Sequence, residues 1–165
     1  MPKIIFFLIV IILASSCKEA VSGTENVQDS QWQVTDGLPN KVRLDSKAQT
    51  ILNNWKDFMV LESSFDKIYS TVNREDFVLI IDELVENQKK MEAGIYPNSF
   101  DIPQIKGRQK VFKTYVLKTK GDLEYRQNPK ESLVEMITAF NDLRNQFNVV
   151  VNNTLPDELR ANEEN

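Results

Sequence analysis

Residues 128–151 read NPKESLVEMITAFNDLRNQFNVVV. Asn128 is a helix cap, Pro129 suits a first turn, and Glu131 follows three residues after the cap. Beyond them Leu133, Met136, Ile137, Phe140, Leu143, Phe147, Val150 and Val151 recur at three- and four-residue spacing. At ~100° per residue that spacing puts them on one face of a helix. Pro156 marks its limit. A stripe this long needs apolar partners, and three upstream segments carry matching ones.

The first of these begins at Ser46, with Gln49 completing a capping box. Its stripe is Ala48, Ile51, Leu52, Trp55, Phe58, Met59, Phe65 and Tyr69. The second begins at Asn73, with Val72 placed to staple onto Phe77. Phe77, Ile80, Ile81, Leu84 and Met91 form its stripe, and Gly94 is its C-terminal cap. A loop through Pro97 leads to the third. There Phe100, Asp101, Gln104 and Ile105 spell a staple with a capping box, the stripe is Ile105, Phe112, Tyr115 and Val116, and Gly121 ends the helix. Short loops favour antiparallel neighbours. The expectation is an all-α fold, an antiparallel up-down-up-down four-helix bundle over residues 46–155, with a polar acidic tail at 156–165. The aromatics at stripe spacing (Trp55, Phe58, Phe112, Tyr115, Phe140, Phe147) read as core.

Composition removes whole classes of chemistry. The 165 residues hold 20 Lys and Arg against 24 Asp and Glu, a net charge of −4. An acidic chain lacks the basic footprint that nucleic acid demands. Histidine is absent, which removes His-based triads, His general bases and most zinc or iron sites. One cysteine allows neither an internal disulfide nor a CxxC pair. The five glycines are scattered, so no phosphate-cradling loop forms, and no EF-hand spacing occurs. No catalytic residue, metal-ligand set or cofactor is expected.

Three polar constellations stand out on the helices. Glu62 falls inside the first stripe and Arg108 inside the third. A lone buried charge is costly, so the two form a candidate inter-helix ion pair. The alternatives are side chains snorkelling to the surface, or a polar core site for a ligand. Lys106, Arg108, Lys110, Lys113, Lys118 and Lys120 make the third helix basic, while Glu75, Asp76, Asp82, Glu83, Glu86 and Glu92 make the second acidic. Either the two neutralise each other as neighbours, or the basic face meets an anionic lipid or glycan. Asn141, Asn145, Asn148 and Asn152 line one face of the fourth helix. Their amides both donate and accept, which suits contact with a glycan or a protein. Compositional drift in an AT-rich genome is the plainer reading.

The N-terminal end reads MPKIIFFLIVIILASSC. Lys3 supplies a positive charge, and Ile4 to Ala14 is unbroken apolar sequence. That run spans about 16 Å as a helix, against the roughly 20 residues a bilayer core needs. A short apolar run followed by small residues is a signal-peptide pattern. Leu13-Ala14-Ser15-Ser16-Cys17 resembles a bacterial lipobox, with Ala14 where Leu is commonest and Leu13 one step further out. The expectation is that residues 1–16 are removed and Cys17 is lipidated; the alternative is an ordinary secreted protein cut near Ser16. Multiple acyl chains anchor stably where one does not. Residues 17–45 then read as the lipidated cysteine and a flexible tether, with a reach of about 30 Å. Trp32 and Leu38 are the residues able to dock back on the domain.

Lipobox, polar tether and helical domain together resemble the small helical lipoproteins of the Bacteroidota, of flavobacterial type. The resemblance covers leader and tether well, and the domain by type only. It implies an address at the outer membrane, with a membrane partner through Cys17 and another envelope protein or a glycan as binding partner. Lys18-Glu19 resembles the surface-export signal of that group, and Ala20 departs from it, which leaves both the periplasmic face and the cell surface open. The function expected is a non-enzymatic interaction or structural module of the cell envelope. The alternative is a lipoprotein that binds a small ligand or glycan.

Overall fold

The computed structural model describes residues 34–153. The leader, Cys17, Trp32 and the tail at 156–165 lie outside the described residues. Among the described residues the protein is all-α. Its helices are α1 (Ser46–Leu52), α2 (Lys56–Asp66), α3 (Arg74–Ala93), α4 (Pro103–Glu124) and α5 (Lys130–Asn152), with 3-10 turns at Lys67–Ser70 and Asn98–Phe100. The quoted stretch is α5, where Asn128 Oδ1 accepts from the Lys130 N–H at 3.0 Å. α4 packs along α5, α3 on α4, and α2 on α3, while the short α1 touches α5 and α2.

The first expected helix is two helices. Asn53 and Asn54 are poor helix formers, and the chain turns there. Asn54 N–H bonds the Ile51 carbonyl and Trp55 N–H the Leu52 carbonyl, three-residue bonds that tighten and end α1. Trp55 then takes an extended conformation as the N-cap of α2. The break resets the angular phase, so Leu61 is buried while Met59, placed on the stripe by the sequence, is 48% exposed.

Several boundaries move for local reasons. Asp45, not Ser46, is the N-cap of α1, and the Gln49 side chain bonds Asn53, so that capping box does not form. Asn73 caps α3 as expected, accepting from the Asp76 N–H at 2.8 Å, but Val72 is largely exposed and forms no staple over buried Phe77. Gly94 ends α3 in an extended conformation, where the Asp57 carboxylate passes too close for a Cβ. At α4 the N-cap is Ile102, Pro103 opens the helix, and Asp101 pairs instead with Lys106. Gly121 does not stop α4, because buried Leu123 prolongs the stripe by another turn.

Ring packing dominates the interior. Phe140 of α5 lies 3.9 Å from Phe65 of α2 and 5.0 Å from Phe112 of α4, centroid to centroid. Phe147 meets Phe58 at 5.3 Å and Phe100 at 4.6 Å. Such pairs add to the transfer free energy of the buried rings.

α4 closes with paired backbone bonds. Gln127 N–H bonds the Asp122 carbonyl at 2.7 Å and Arg126 N–H the Leu123 carbonyl at 3.1 Å. This is a Schellman motif, and Arg126 occupies its left-handed position at φ 55°. A non-glycine residue there is strained by roughly 1–2 kcal/mol. Arg126→Gly is expected to stabilise the protein by about 0.5–1 kcal/mol, since glycine's added unfolded-state entropy offsets part of the relief. The check is the midpoint of urea unfolding, which should rise at unchanged slope.

Candidate functional site

The described N-terminal segment is a strap bound lengthwise to α5, so residues 34–45 are not the flexible chain expected of them, while residues 17–33 lie outside the described residues. A turn at residues 34–37, with Gly37 at φ 65°, leads into extended chain up to Asp45. Asn141 Oδ1 accepts from the Val42 N–H at 2.8 Å, and its amide nitrogen donates to the Asn40 carbonyl at 2.9 Å. Asn148 repeats the arrangement, accepting from the Asp45 N–H at 2.8 Å and donating to the Arg43 carbonyl at 2.9 Å. Asn152 donates to the Asp45 carboxylate. Lys130, at the other end of α5, donates to the Val34 and Asp36 carbonyls.

The register has a metric cause. Asn141 and Asn148 are two helical turns apart, about 10.5 Å along the axis. Val42 and Asp45 are three extended residues apart, about 10 Å. The two spacings agree, so each asparagine meets the same backbone pattern, a carbonyl and the N–H two residues on. The recognition is of main chain, not side chain. Three of the four asparagines read as an outward contact face are thereby engaged by the protein's own strap, and Asn145 stays exposed.

Arg144 sits between the two asparagines. Its Nε donates to the Val42 carbonyl at 2.7 Å, and its Nη1 donates to Glu62 Oε1. Glu62 is therefore paired as expected of a stripe carboxylate, but with Arg144 of α5 and not with Arg108. Arg108 lies on the open side of α4 and reaches exposed Asp142 at 3.3 Å. Lys41 of the strap lies 3.4 Å from Glu62 and 2.6 Å from Asp66. Burial pushes the Arg144 guanidinium down to about 10, which leaves it charged at neutral pH. The sequence offered one signal for this residue: an arginine on the inner half of an otherwise apolar stripe.

A second concavity lies where α3 ends and α4 begins. It is a cleft of about 510 Å³ bordered by Ile95, Tyr96, Asn98, Gln109 and Lys110, among others. Tyr96 packs on Trp55 at 4.9 Å between ring centroids, and Lys106 lies 5.1 Å over the Tyr96 ring. The Tyr96 hydroxyl donates to Gln109 Oε1. Burial, with the nearby Glu92 and Asp101 carboxylates, raises the phenol above its ordinary value, although the bond to Gln109 opposes this, so it remains a donor. Gln109 is 1% exposed, and its Nε2 has no partner. Trp55 Nε1 and both amide atoms of Gln88 are also buried without one.

Among the described residues no group of three or more carboxylates could hold a metal ion, and no helix is long and apolar enough to cross a membrane. Compared with known families, curated proteins and solved structures, the chain matches none.

Two outcomes test the strap. In hydrogen exchange, Asn148→Ala should strip protection from the Asp45 amide while leaving α3 and α4 unchanged. Equal loss throughout the helices would contradict a locally held strap. Arg144→Met should cost about 3 kcal/mol, because Glu62 is left without its main partner. Adding Glu62→Gln should recover part of that cost in a double-mutant cycle read by urea unfolding.

Proposed function

We propose that the protein is a membrane-anchored lipoprotein of the cell envelope that works by non-covalent contact, as an interaction or structural module. Lipid at Cys17 holds it at the outer membrane, on the periplasmic face or at the cell surface. The long helices α2 to α5 act as an up-down-up-down bundle, with α1 as an accessory turn. Confinement to a surface raises the bundle's effective concentration for a neighbouring envelope protein or glycan. No nucleic acid and no catalytic step enter this reading.

The observation that carries it is the strap. Residues 34–45 run the length of α5 and are held by its asparagines, Arg144 and Lys130. In an anchored protein those bonds carry load from the anchor into the core, with residues 18–33 between Cys17 and the clamp. A second reading, a lipoprotein that binds a small ligand, is favoured by the cleft at Tyr96 and the unpartnered Gln109 amide.

Cys17→Ala tests the anchor by fractionation of cells making the full chain. The expected result is a shift of the protein from the membrane fraction to the soluble one. Unchanged membrane retention would refute lipidation at Cys17. Crosslinking in the native envelope then identifies the contact partner.

A further inference from the structure

The strap and α5 are the first and last described elements, and they run in the same direction. Lys130, at the start of α5, donates to the Val34 and Asp36 carbonyls. Asn141 and Arg144 then meet the strap at residues 40–42, and Asn148 meets it at 43–45. Asn152, the last residue of α5, reaches the Asp45 carboxylate. Strap and helix thus advance together from Lys130 to Asn152, about 33 Å along the axis. The chain enters this seam at residue 34, beside Lys130, and leaves it at residue 153, past Asn152.

That layout decides how tension acts. A pull on the chain from both sides of the fold drags the strap toward the start of α5 and drags α5 toward its own end. The two then slide past each other in shear. The clamping bonds run across the seam, from α5 side chains to the main chain of the strap, so sliding stretches them together and none yields alone. Lys41 on Asp66, and the Tyr69 hydroxyl on the Pro39 carbonyl, resist the same motion from α2 and the turn after it. Leu44, buried in the core, would have to leave it as well. A pull that separates residue 34 from the start of α5 acts otherwise. It loads the Lys130 bonds first and the remaining ones in sequence, so the strap peels.

We propose that the strap and α5 form a clamp loaded in shear, which makes the protein a mechanically resistant link. It keeps its fold when tension enters at the strap and leaves through the C-terminal end of α5. Recognition of main chain suits this role, because the grip does not depend on the strap's side chains. The proposal rests on the load-bearing role given to the strap above and adds the direction in which the load is borne. It does not require lipid at Cys17.

The test pulls single molecules of the full chain, made without lipid and kept in detergent. One handle is on Cys17, the only cysteine, and the other on a second cysteine. Asn153→Cys puts that handle past the end of α5, and Gln127→Cys puts it before the start; both side chains are exposed. Forced unfolding reads the barrier crossed, so at one loading rate the first geometry should need about twofold more force than the second. Asn141→Ala with Asn148→Ala should bring the first force down to the second, while hydrogen exchange in α3 and α4 shows the bundle still folded. Equal forces in the two geometries, read with the clamp intact, would overturn the proposal. A high force in the Asn153→Cys geometry that survives loss of both asparagines would also overturn it, because the resistance would then lie elsewhere. Neither result bears on the anchor, which fractionation of Cys17→Ala tests separately.

Discussion

The guanidinium of Arg144 is the group on which the arrangement turns. It reaches the Glu62 carboxylate of α2 and the Val42 carbonyl of the strap at once. Glu62 sits between buried Leu61 and Phe65, where a carboxylate without a cation would be costly. Arginine is suited to this position, because its planar fork serves two acceptors in different directions and keeps its charge when partly buried. Three elements distant in sequence are thereby tied at one point: the strap, α2 and α5. The asparagine pairs on either side extend that point into a line, since two helical turns and three extended residues have nearly the same length.

The paired charges between α3, α4 and α5 act differently. They lie at partly exposed positions, where a single pair contributes at most about 1 kcal/mol. Their value is in choosing neighbours. Acidic α3 meets α4 through Lys113 and Lys120, and α5 meets it through Lys118 and Arg108. Without basic α4 between them, the acidic faces of α3 and α5 would meet.

Much of the helix content was legible in the apolar spacing. Leu133, Met136, Ile137, Phe140, Leu143 and Phe147 are all fully buried, as their periodicity required. Capping motifs were less dependable. Asn73 does cap its helix, whereas the caps expected at Ser46, Asp101 and Asn128 fall on Asp45, Ile102 and Pro129, with Asn128 one residue outside the last helix and bonded to the Lys130 N–H. Periodicity also carried the first helix straight through Asn53-Asn54. Two adjacent weak helix formers allow a break, but whether the chain bends there depends on what Trp55 packs against.

By itself the sequence determined the helical class, the inward faces of the three later helices, the complementary charge of α3 and α4, and the absence of histidine and of a second cysteine. These follow from residue spacing and composition, which act within one helix. Only the tertiary structure decided that Glu62 faces Arg144 and not Arg108, that the asparagines of α5 hold a strap, and that Gln109 lies buried with its amide oxygen bonded to the Tyr96 hydroxyl. Each of those depends on which residues distant in the chain come within hydrogen-bonding reach. Helical periodicity states a direction from one axis and is silent on what stands opposite.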